Sequence, residues 1–365
     1  MIIDHIKDFF YSLTGYNKHM TRVAINGFGR IGRLFFRQAF CRKDITIVAI
    51  NDLGDIENLA YLLKYDSVYR VFEKEITFSR NTSGNGGELI VGGKKIQVIE
   101  EKEAENLPWE KLKIDIVVES SGVFESFKKA RAHIEAGAKR VIITAPAKDD
   151  EQVDAKTVLM GVNEFELKNC LITSNGSCTT NATHPVAAIM SETIGVKKAL
   201  LATVHGYTAT QNLVDGPTKG HDFRRGRAAA ANISPSFTGA AISVTRAVKN
   251  LEGKFDGLAY RVPVITGSLA DLTFIASRST TVEEVNSILK SAALEPRWKD
   301  ILKVTEDQIV SSDIIGESYG AIVDLQYTKV IDGDLVKVLS WYDNEWGYVT
   351  TLVQHVTKVA QFLKI

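Results

Sequence analysis

Cys178 sits in the run Ser174-Asn175-Gly176-Ser177-Cys178-Thr179-Thr180-Asn181, where its neighbours are all small or polar. A cysteine kept for packing has apolar neighbours, so this thiol reads as a nucleophile. It directly precedes a segment in which Val186, Ile189, Met190 and Ile194 have helical spacing, which places Ser177 or Cys178 at a helix start. The orphan N–H groups and dipole there are expected to lower the thiol pKa. A free thiol near pKa ~8.5 is only a few per cent thiolate at neutral pH, so it needs such help.

A nucleophilic thiol also needs a base. Of seven histidines, His205 in "ATVHGYT" ends a strand in the same part of the chain and is the candidate. His184, six residues past the cysteine, competes, but on a helix begun at Cys178 it lies more than a turn away and points elsewhere. Three arginines crowd into "DFRRGR" (222–227), which suits a solvated loop, a weak nucleic-acid patch or a site for small phosphates. Arg261 in "AYRVPV" is a lone arginine in an apolar strand, and it either points outward or is held inside by an anion.

A second chemistry-bearing motif lies upstream. Gly27-Phe28-Gly29-Arg30-Ile31-Gly32 is a G-x-G-x-x-G between a strand and a helix, and Asp52 follows its last glycine by twenty residues at the end of the next strand. That is the context of a dinucleotide fingerprint: a tight turn, a close approach to pyrophosphate, and a helix start that meets the phosphates. A carboxylate at Asp52 accepts from both ribose hydroxyls and repels a 2′-phosphate, so NAD is favoured over NADP.

The elements around these residues follow from pattern. "RVAING" (22–27), "ITIVAIND" (45–52), "IDIVVESSG" (114–122) and "RVIITAPA" (140–147) read as strands, alternating with helices over 31–40, 56–65 and 126–138. "ELIVGGKKIQVIEE" reads as a hairpin turning at Gly92-Gly93. Such alternation predicts a mainly parallel sheet with helices on its faces. After Cys178 longer strand candidates appear, "KALLATVHGYT", "LAYRVPVITGSLADLTFIAS" and "GAIVDLQYTKVIDGDLVKVLSWYD", with a helix near 281–294. They predict a mixed or antiparallel sheet with helices on one side. The fold class expected is therefore α/β and α+β: a Rossmann-type dinucleotide-binding domain over 21–176 and a catalytic domain over 177–344. An amphipathic terminal helix over 345–365, with Val349, Leu352, Val353, Val356 and Val359 on one face, packs back on the first domain.

Composition bounds the rest. The 365 residues suffice for two domains, and 45% hydrophobic with 24% charged residues is a globular balance. Lysine plus arginine equals aspartate plus glutamate at 44 each, so nucleic acid is not expected as the primary partner. No apolar run reaches membrane-helix length. Three cysteines without zinc-like spacing, Cys41, Cys170 and Cys178, argue against a disulfide framework and for a reducing cytoplasm, with no metal site expected. Residues 1–20 carry Asp4 and Asp8 where a signal peptide needs a basic start. They read as a leader, or as a start set upstream of Met20, in preference to a short amphipathic helix.

Read together and in order from about Thr21, "INGFGRIGR", "AINDL", "LLKYDS", "TAPAKDD", "SNGSCTTN", "TVHGYTATQ", "VDGP", "RRGRAAAANI", "SFTGAA", "RVP" and "SWYDNEWGY" resemble the glyceraldehyde-3-phosphate dehydrogenases, the phosphorylating NAD-dependent family of glycolysis. The resemblance implies that Cys178 adds to the aldehyde as a thiohemiacetal, that His205 activates it, and that inorganic phosphate attacks the resulting thioester. It implies that Thr208 and Arg261 hold the substrate's C3 phosphate. Ser177, Thr179, Arg225, Thr238 and Gly239 would hold the attacking phosphate. Gly27, Phe28, Gly29, Arg30, Ile31, Gly32, Asp52 and Thr144 would meet NAD, with Asn344 on the nicotinamide carboxamide and Tyr348 nearby. It further implies a homotetramer with the loop from about Tyr207 to Ala231 at an interface. Gly176 departs from the family's usual alanine and is expected to loosen the turn. Ala182 replaces a frequent second cysteine, His184 stands where alanine is usual, and "RVPVITGSLADL" departs near Arg261. The rival readings are erythrose-4-phosphate dehydrogenase, related semialdehyde and acyl-phosphate reductases, and an idle scaffold relative. The last should have lost Cys178, His205 or an anion-site arginine, and none is missing.

Overall fold

The computed structural model describes residues 20–82, 86–218 and 220–363. The reading of a leader or amphipathic helix over 1–20 therefore lies, apart from Met20, outside the described residues.

The strand Thr21–Asn26, the helix Arg30–Ala39 and the strand Ile45–Asn51 open a βαβ unit whose two strands run parallel. Further strands complete a nine-stranded sheet, parallel through Lys94–Ile99 on one side and through Ile116–Glu119, Arg140–Ile143, Ile172–Ser174 and Ala155–Thr157 on the other. Gly87–Val91 pairs antiparallel with Lys94–Ile99 and with the edge strand Ile76–Arg80, and its hairpin with Lys94–Ile99 turns at Gly92-Gly93, both with positive φ. Chain order reverses on either side of Thr21–Asn26. A crevice therefore opens at the carboxyl end of that strand, where doubly wound sheets bind ligands.

The second half forms a seven-stranded mixed sheet, in the order 234–237, 255–262, 196–206, 268–276, 335–342, 321–331, 302–305. The two longest strand candidates each divide. "LAYRVPVITGSLADLTFIAS" breaks after Val262, and its halves flank Val196–Gly206 from opposite sides, one parallel and one antiparallel. Pro263 has no N–H to give a ladder, and Gly267 at φ 91° turns the chain. The last candidate folds into a hairpin at Asp332-Gly333, where both residues have positive φ, as a two-residue primed turn requires.

Helices Cys178–Thr193, Ala240–Ala247 and Val282–Leu294 pack on one face of this sheet. Along Val196–Gly206 the side chains alternate: Leu201, Thr203 and His205 are buried, while Leu200 and Val204 are exposed on the opposite face. That period of two turns His205 toward the helix that carries Cys178. The terminal helix Trp346–Phe362 lies against Arg30–Ala39, with Gln38 donating to the Trp346 carbonyl at 3.0 Å. Among the described residues, no helix is long and apolar enough to cross a membrane.

Candidate active site

The nucleophile turn is built by capping. Ser177 is the N-cap: its hydroxyl accepts from the Thr180 N–H at 3.0 Å, and Thr180 Oγ1 accepts from the Ser177 N–H at 3.0 Å. Cys178 is thus the first helical residue. Gly176 sits at φ 65°, where a Cβ would lie 2.8 Å from Thr180 Cγ2. The expectation that glycine loosens this turn is corrected by the geometry. Left-handed backbone suits glycine, and Asn181 Nδ2 holds the turn at both the Asn175 and Ser177 carbonyls, at 2.8 and 3.0 Å. Tyr348, expected beside the cofactor, is buried and donates to the Gly176 carbonyl at 3.2 Å, so it braces the same turn. From one and two turns further along the terminal helix, Thr351 and His355 reach Asn175 at 3.1 and 3.0 Å.

Cys178 Sγ lies 3.3 Å from His205 Nε2. The Tyr342 ring meets the imidazole edge-on at 5.9 Å, and its hydroxyl bridges Thr179 Oγ1 and Thr203 Oγ1 at 2.8 and 2.7 Å. The thiol and the imidazole are therefore positioned by a shared buried phenol. Sequence reasoning assigned Tyr342 no part. Its signal was the alternation along Leu335–Tyr342, which puts Ser340 and Tyr342 on the buried face. The engaged hydroxyl of Thr179 leaves its helix-start N–H as what it offers an anion. His184 turns its ring nitrogens toward the Thr180 and Met160 carbonyls, which can only accept, at 3.2 and 3.0 Å, and packs near Trp298, away from the sulfur, as its position in the helix requires.

Burial, with Arg261 adding to it, pushes His205 down to about 3, so the imidazole is neutral at physiological pH. The thiol departs from expectation. Burial raises Cys178 above its ordinary value, and the opposing pull of Arg261 and of the Thr179 N–H does not reverse it. The helix start helps, but desolvation of a charge half-buried among protein groups outweighs it. Burial thus weighs against charge on both partners of the pair.

Arg261 turns inward, which resolves its ambiguity. It lies opposite His205 in the parallel ladder, with Nη1 2.6 Å from His205 Nδ1, and its Nε is buried without an acceptor. Arg225 donates to Thr210 Oγ1 and Ser236 Oγ at 2.8 and 3.0 Å, and Thr208 Oγ1 is 3.1 Å from Thr210 Oγ1. Thr238 accepts from the Ala240 N–H at 3.2 Å at the start of Ala240–Ala247, and Gly239 faces Pro146 of the loop after Arg140–Ile143. Arg261 is thus the cation set against the thiol and imidazole, while Arg225 also pairs with Asp222 at 3.6 Å.

The glycine motif fits a dinucleotide. A Cβ on Gly27 would strike the Ser121 backbone at 2.4 Å, and one on Gly32 the Gly27 carbonyl at 2.2 Å. One on Gly29 would meet nothing within 4 Å, because that glycine faces the open crevice. Asp52 accepts from the Phe28 and Gly54 N–H groups at 2.6 and 2.8 Å, tying the loop to the carboxylate that faces the ribose position. The side chains of Phe28 and Arg30 serve elsewhere. Phe28 is buried against Phe36, and Arg30 pairs with Asp66 and Glu345, both at 2.5 Å. The Phe28 N–H is committed to Asp52, so what Arg30 and Ile31 offer a ligand is main-chain N–H.

Beneath the loop, buried Glu119 accepts from Asn26, the Ser121 N–H and the Ser121 hydroxyl. A cleft of about 970 Å³ runs over Gly29, Asp52, Leu53, Ser120 and Ser121, and neither Cys178 nor His205 lines it. Thr144 donates its N–H to the Glu119 carbonyl at 3.0 Å, between this cleft and the thiol. Asn344 Oδ1 accepts from the Gly267 N–H and the Ser268 hydroxyl at 3.1 and 2.8 Å. The departure at 264–270 therefore supplies the clamp that orients Asn344.

Crevice, glycine turn and ribose carboxylate, joined to a thiol–imidazole pair on a second sheet, define a two-domain NAD-dependent oxidoreductase. Residues 21–127 match the family model described as glyceraldehyde 3-phosphate dehydrogenase, NAD binding domain, and residues 177–344 match the C-terminal domain of the same enzyme. The chain is 50% identical to the glyceraldehyde-3-phosphate dehydrogenase of Thermotoga maritima over 92% of its own length and 97% of the relative's. It is 46% identical to that of Borreliella burgdorferi and 44% to that of Clostridium pasteurianum, over 93% and 94% of this chain and the whole of each relative. The protein belongs to the glyceraldehyde-3-phosphate dehydrogenase family.

Proposed function

We propose that this protein oxidises D-glyceraldehyde 3-phosphate to 1,3-bisphosphoglycerate with NAD and inorganic phosphate. The observation that carries the reading is the 3.3 Å approach of Cys178 Sγ to a neutral His205 Nε2 beside the inward guanidinium of Arg261. Arg261 and Thr208 bind the C3 phosphate and so aim the aldehyde at the sulfur. Cys178 Sγ bonds to the carbonyl carbon while His205 Nε2 takes the thiol proton and passes it to the former carbonyl oxygen, giving a thiohemiacetal whose hydroxyl proton returns to Nε2 on oxidation. NAD, held by the main chain of Gly27–Gly32 with Asp52, Thr144 and Asn344, supplies the hydride acceptor. After oxidation the thioester remains on Cys178. Ser177, Arg225, Thr238, Gly239 and the Thr179 N–H hold phosphate for the attack that releases the acyl phosphate, and positioning phosphate rather than water conserves the energy of oxidation.

We place the domain boundary at Gly176, with 177–344 catalytic and the terminal helix docked on the first domain. We also propose a cytoplasmic homotetramer. Leu200 and Val204 on the open sheet face, with Leu213, Val214, Phe223, Ile233 and Phe237 on the loop and strand beside it, are exposed apolar side chains that a second copy would cover. The three cysteines are free thiols, which suits a reducing compartment.

The test is NADH formation from glyceraldehyde 3-phosphate with and without phosphate, against erythrose 4-phosphate and NADP. Phosphate-dependent NADH formation with the three-carbon aldehyde is expected. Preference for erythrose 4-phosphate would move the protein to the rival activity, and no turnover with either would overturn the reading.

A further inference from the structure

We propose that the side chain of Arg30 is a positioning residue for the nicotinamide end of NAD: it ties Asn344 to the glycine turn that meets the pyrophosphate. This deepens the function above and rests on the reading that Asn344 meets the nicotinamide carboxamide.

Arg30 is the first residue of the helix Arg30–Ala39 and follows Gly29, so its main-chain N–H belongs to the phosphate end of the crevice. Its guanidinium serves partners elsewhere. Nε and Nη2 donate to the two carboxylate oxygens of Glu345 at 2.8 and 2.5 Å, and Nη1 donates to Asp66 Oδ2 at 2.5 Å. Glu345 directly follows Asn344 and is the N-cap of the terminal helix Trp346–Phe362.

A second arm reaches the residue on the other side of Asn344. Asp66 Oδ1 accepts from the Val68 and Tyr69 N–H groups at 2.9 and 3.0 Å, and the Tyr69 hydroxyl donates to Asp343 Oδ1 at 2.7 Å. The Tyr69 ring lies against Trp346 at 5.2 Å, with the Arg30 guanidinium 5.8 Å from its centroid. Asp343 is fully buried, and it also accepts from the Glu345, Trp346 and Gly316 N–H groups at 2.9, 2.8 and 2.8 Å. These contacts close a ring from Arg30 through Asp66, Tyr69 and Asp343 to Asn344 and Glu345, and back to Arg30. Both chain neighbours of Asn344 are thus held by residues from the first half of the chain.

Asn344 has use for such a link. The Gly267 N–H can only donate, so it fixes Oδ1 on its own side and leaves Nδ2 as the group that can meet a carboxamide oxygen. Gly267 and Ser268 belong to the second sheet and its approach, however, and they do not set where Asn344 stands relative to a turn built on the first. The Arg30 fork does. A planar guanidinium bonds three carboxylate oxygens at once, where lysine offers a single nitrogen on a flexible stem. The Asp66 and Glu345 side chains are 4% and 15% exposed, so solvent screens these pairs little.

The experiment measures binding to the full-length protein by calorimetry, with NAD and with ADP-ribose, which is NAD without its nicotinamide. Arg30→Lys keeps the charge and the main-chain N–H but removes the fork. Its Kd for ADP-ribose should stay within about twofold while its Kd for NAD rises about tenfold, as the loss of one hydrogen bond between charged groups allows. Tyr69→Phe keeps the ring on Trp346, removes the hydroxyl from Asp343, and should raise the same ratio about threefold. Equal weakening of both ligands would limit Arg30 to the loop, and unchanged affinities would leave the fork without effect; either overturns the proposal. Should Arg30→Lys fail to fold, Tyr69→Phe decides, and an unchanged ratio there overturns it. Asn344→Ala separates the two levels. A ratio that rises in Asn344→Ala but in neither other variant sinks the tether alone, whereas one that stays constant in Asn344→Ala sinks the nicotinamide assignment beneath it.

Discussion

Cys178 and His205 face each other with burial weighing against charge on both. The proton that leaves sulfur has an acceptor within reach, His205 Nε2 at 3.3 Å. Cys178→Ser replaces the sulfur with a far weaker nucleophile and should abolish phosphate-dependent NADH formation; activity near the wild-type rate would dismiss the thioester route. Asp52 anchors the loop through Phe28 and Gly54, and we propose that it also meets the ribose. Asp52→Ala should lower the ratio of kcat/KM for NAD over NADP by roughly tenfold, the scale of one hydrogen bond to a charged group. A ratio that stays constant while both values fall would limit Asp52 to the loop.

At the scale of elements, the turn before Cys178 joins both halves of the molecule. Gly176, Ser177 and Thr180 form it, and Tyr348, Thr351 and His355 of the terminal helix brace it from behind. Gly176→Ala places a Cβ in left-handed backbone and should cost about 1–2 kcal/mol, measurable by denaturant unfolding. Catalysis should survive, because the alanine usual in the family occupies the same turn. Gained stability would mean that the φ of 65° does not describe this position.

For the whole molecule, buried imidazoles set the response to acid. Burial lowers His184 to about 4 and His205 and His355 to about 3. In the unfolded chain each takes up a proton near pH 6.5, while in the folded protein each stays neutral until pH 3–4. Protons therefore favour the unfolded chain, and stability falls as pH drops below about 6.5. Each histidine contributes about 1.4 kcal/mol per pH unit in that window, about 4 kcal/mol for the three together. Urea midpoints measured from pH 7 to pH 4 should fall steeply. Replacing His184, which lies away from the sulfur, with Gln should flatten the fall by about a third; a midpoint flat below pH 6 would contradict the burial of these rings.

Local pattern was enough for the βαβ unit, the glycine turn, Asp52 at its strand end and the helix start at Cys178. Each depends on residues within one or two elements, where backbone preference and hydrophobic period speak directly. The family resemblance also proposed arginines and threonines for two anion sites, but not their partners. What only the tertiary structure decided is where separate elements meet. Pro263 and Gly267 split one apparent strand so that Arg261 came to lie beside His205, and Tyr342 came from a distant hairpin to bridge Thr179 and Thr203. Burial, not helix polarity, set the thiol's protonation. The physical reason is one of range: hydrogen-bond partners and desolvation depend on neighbours brought in from far along the chain, and no window of sequence contains them.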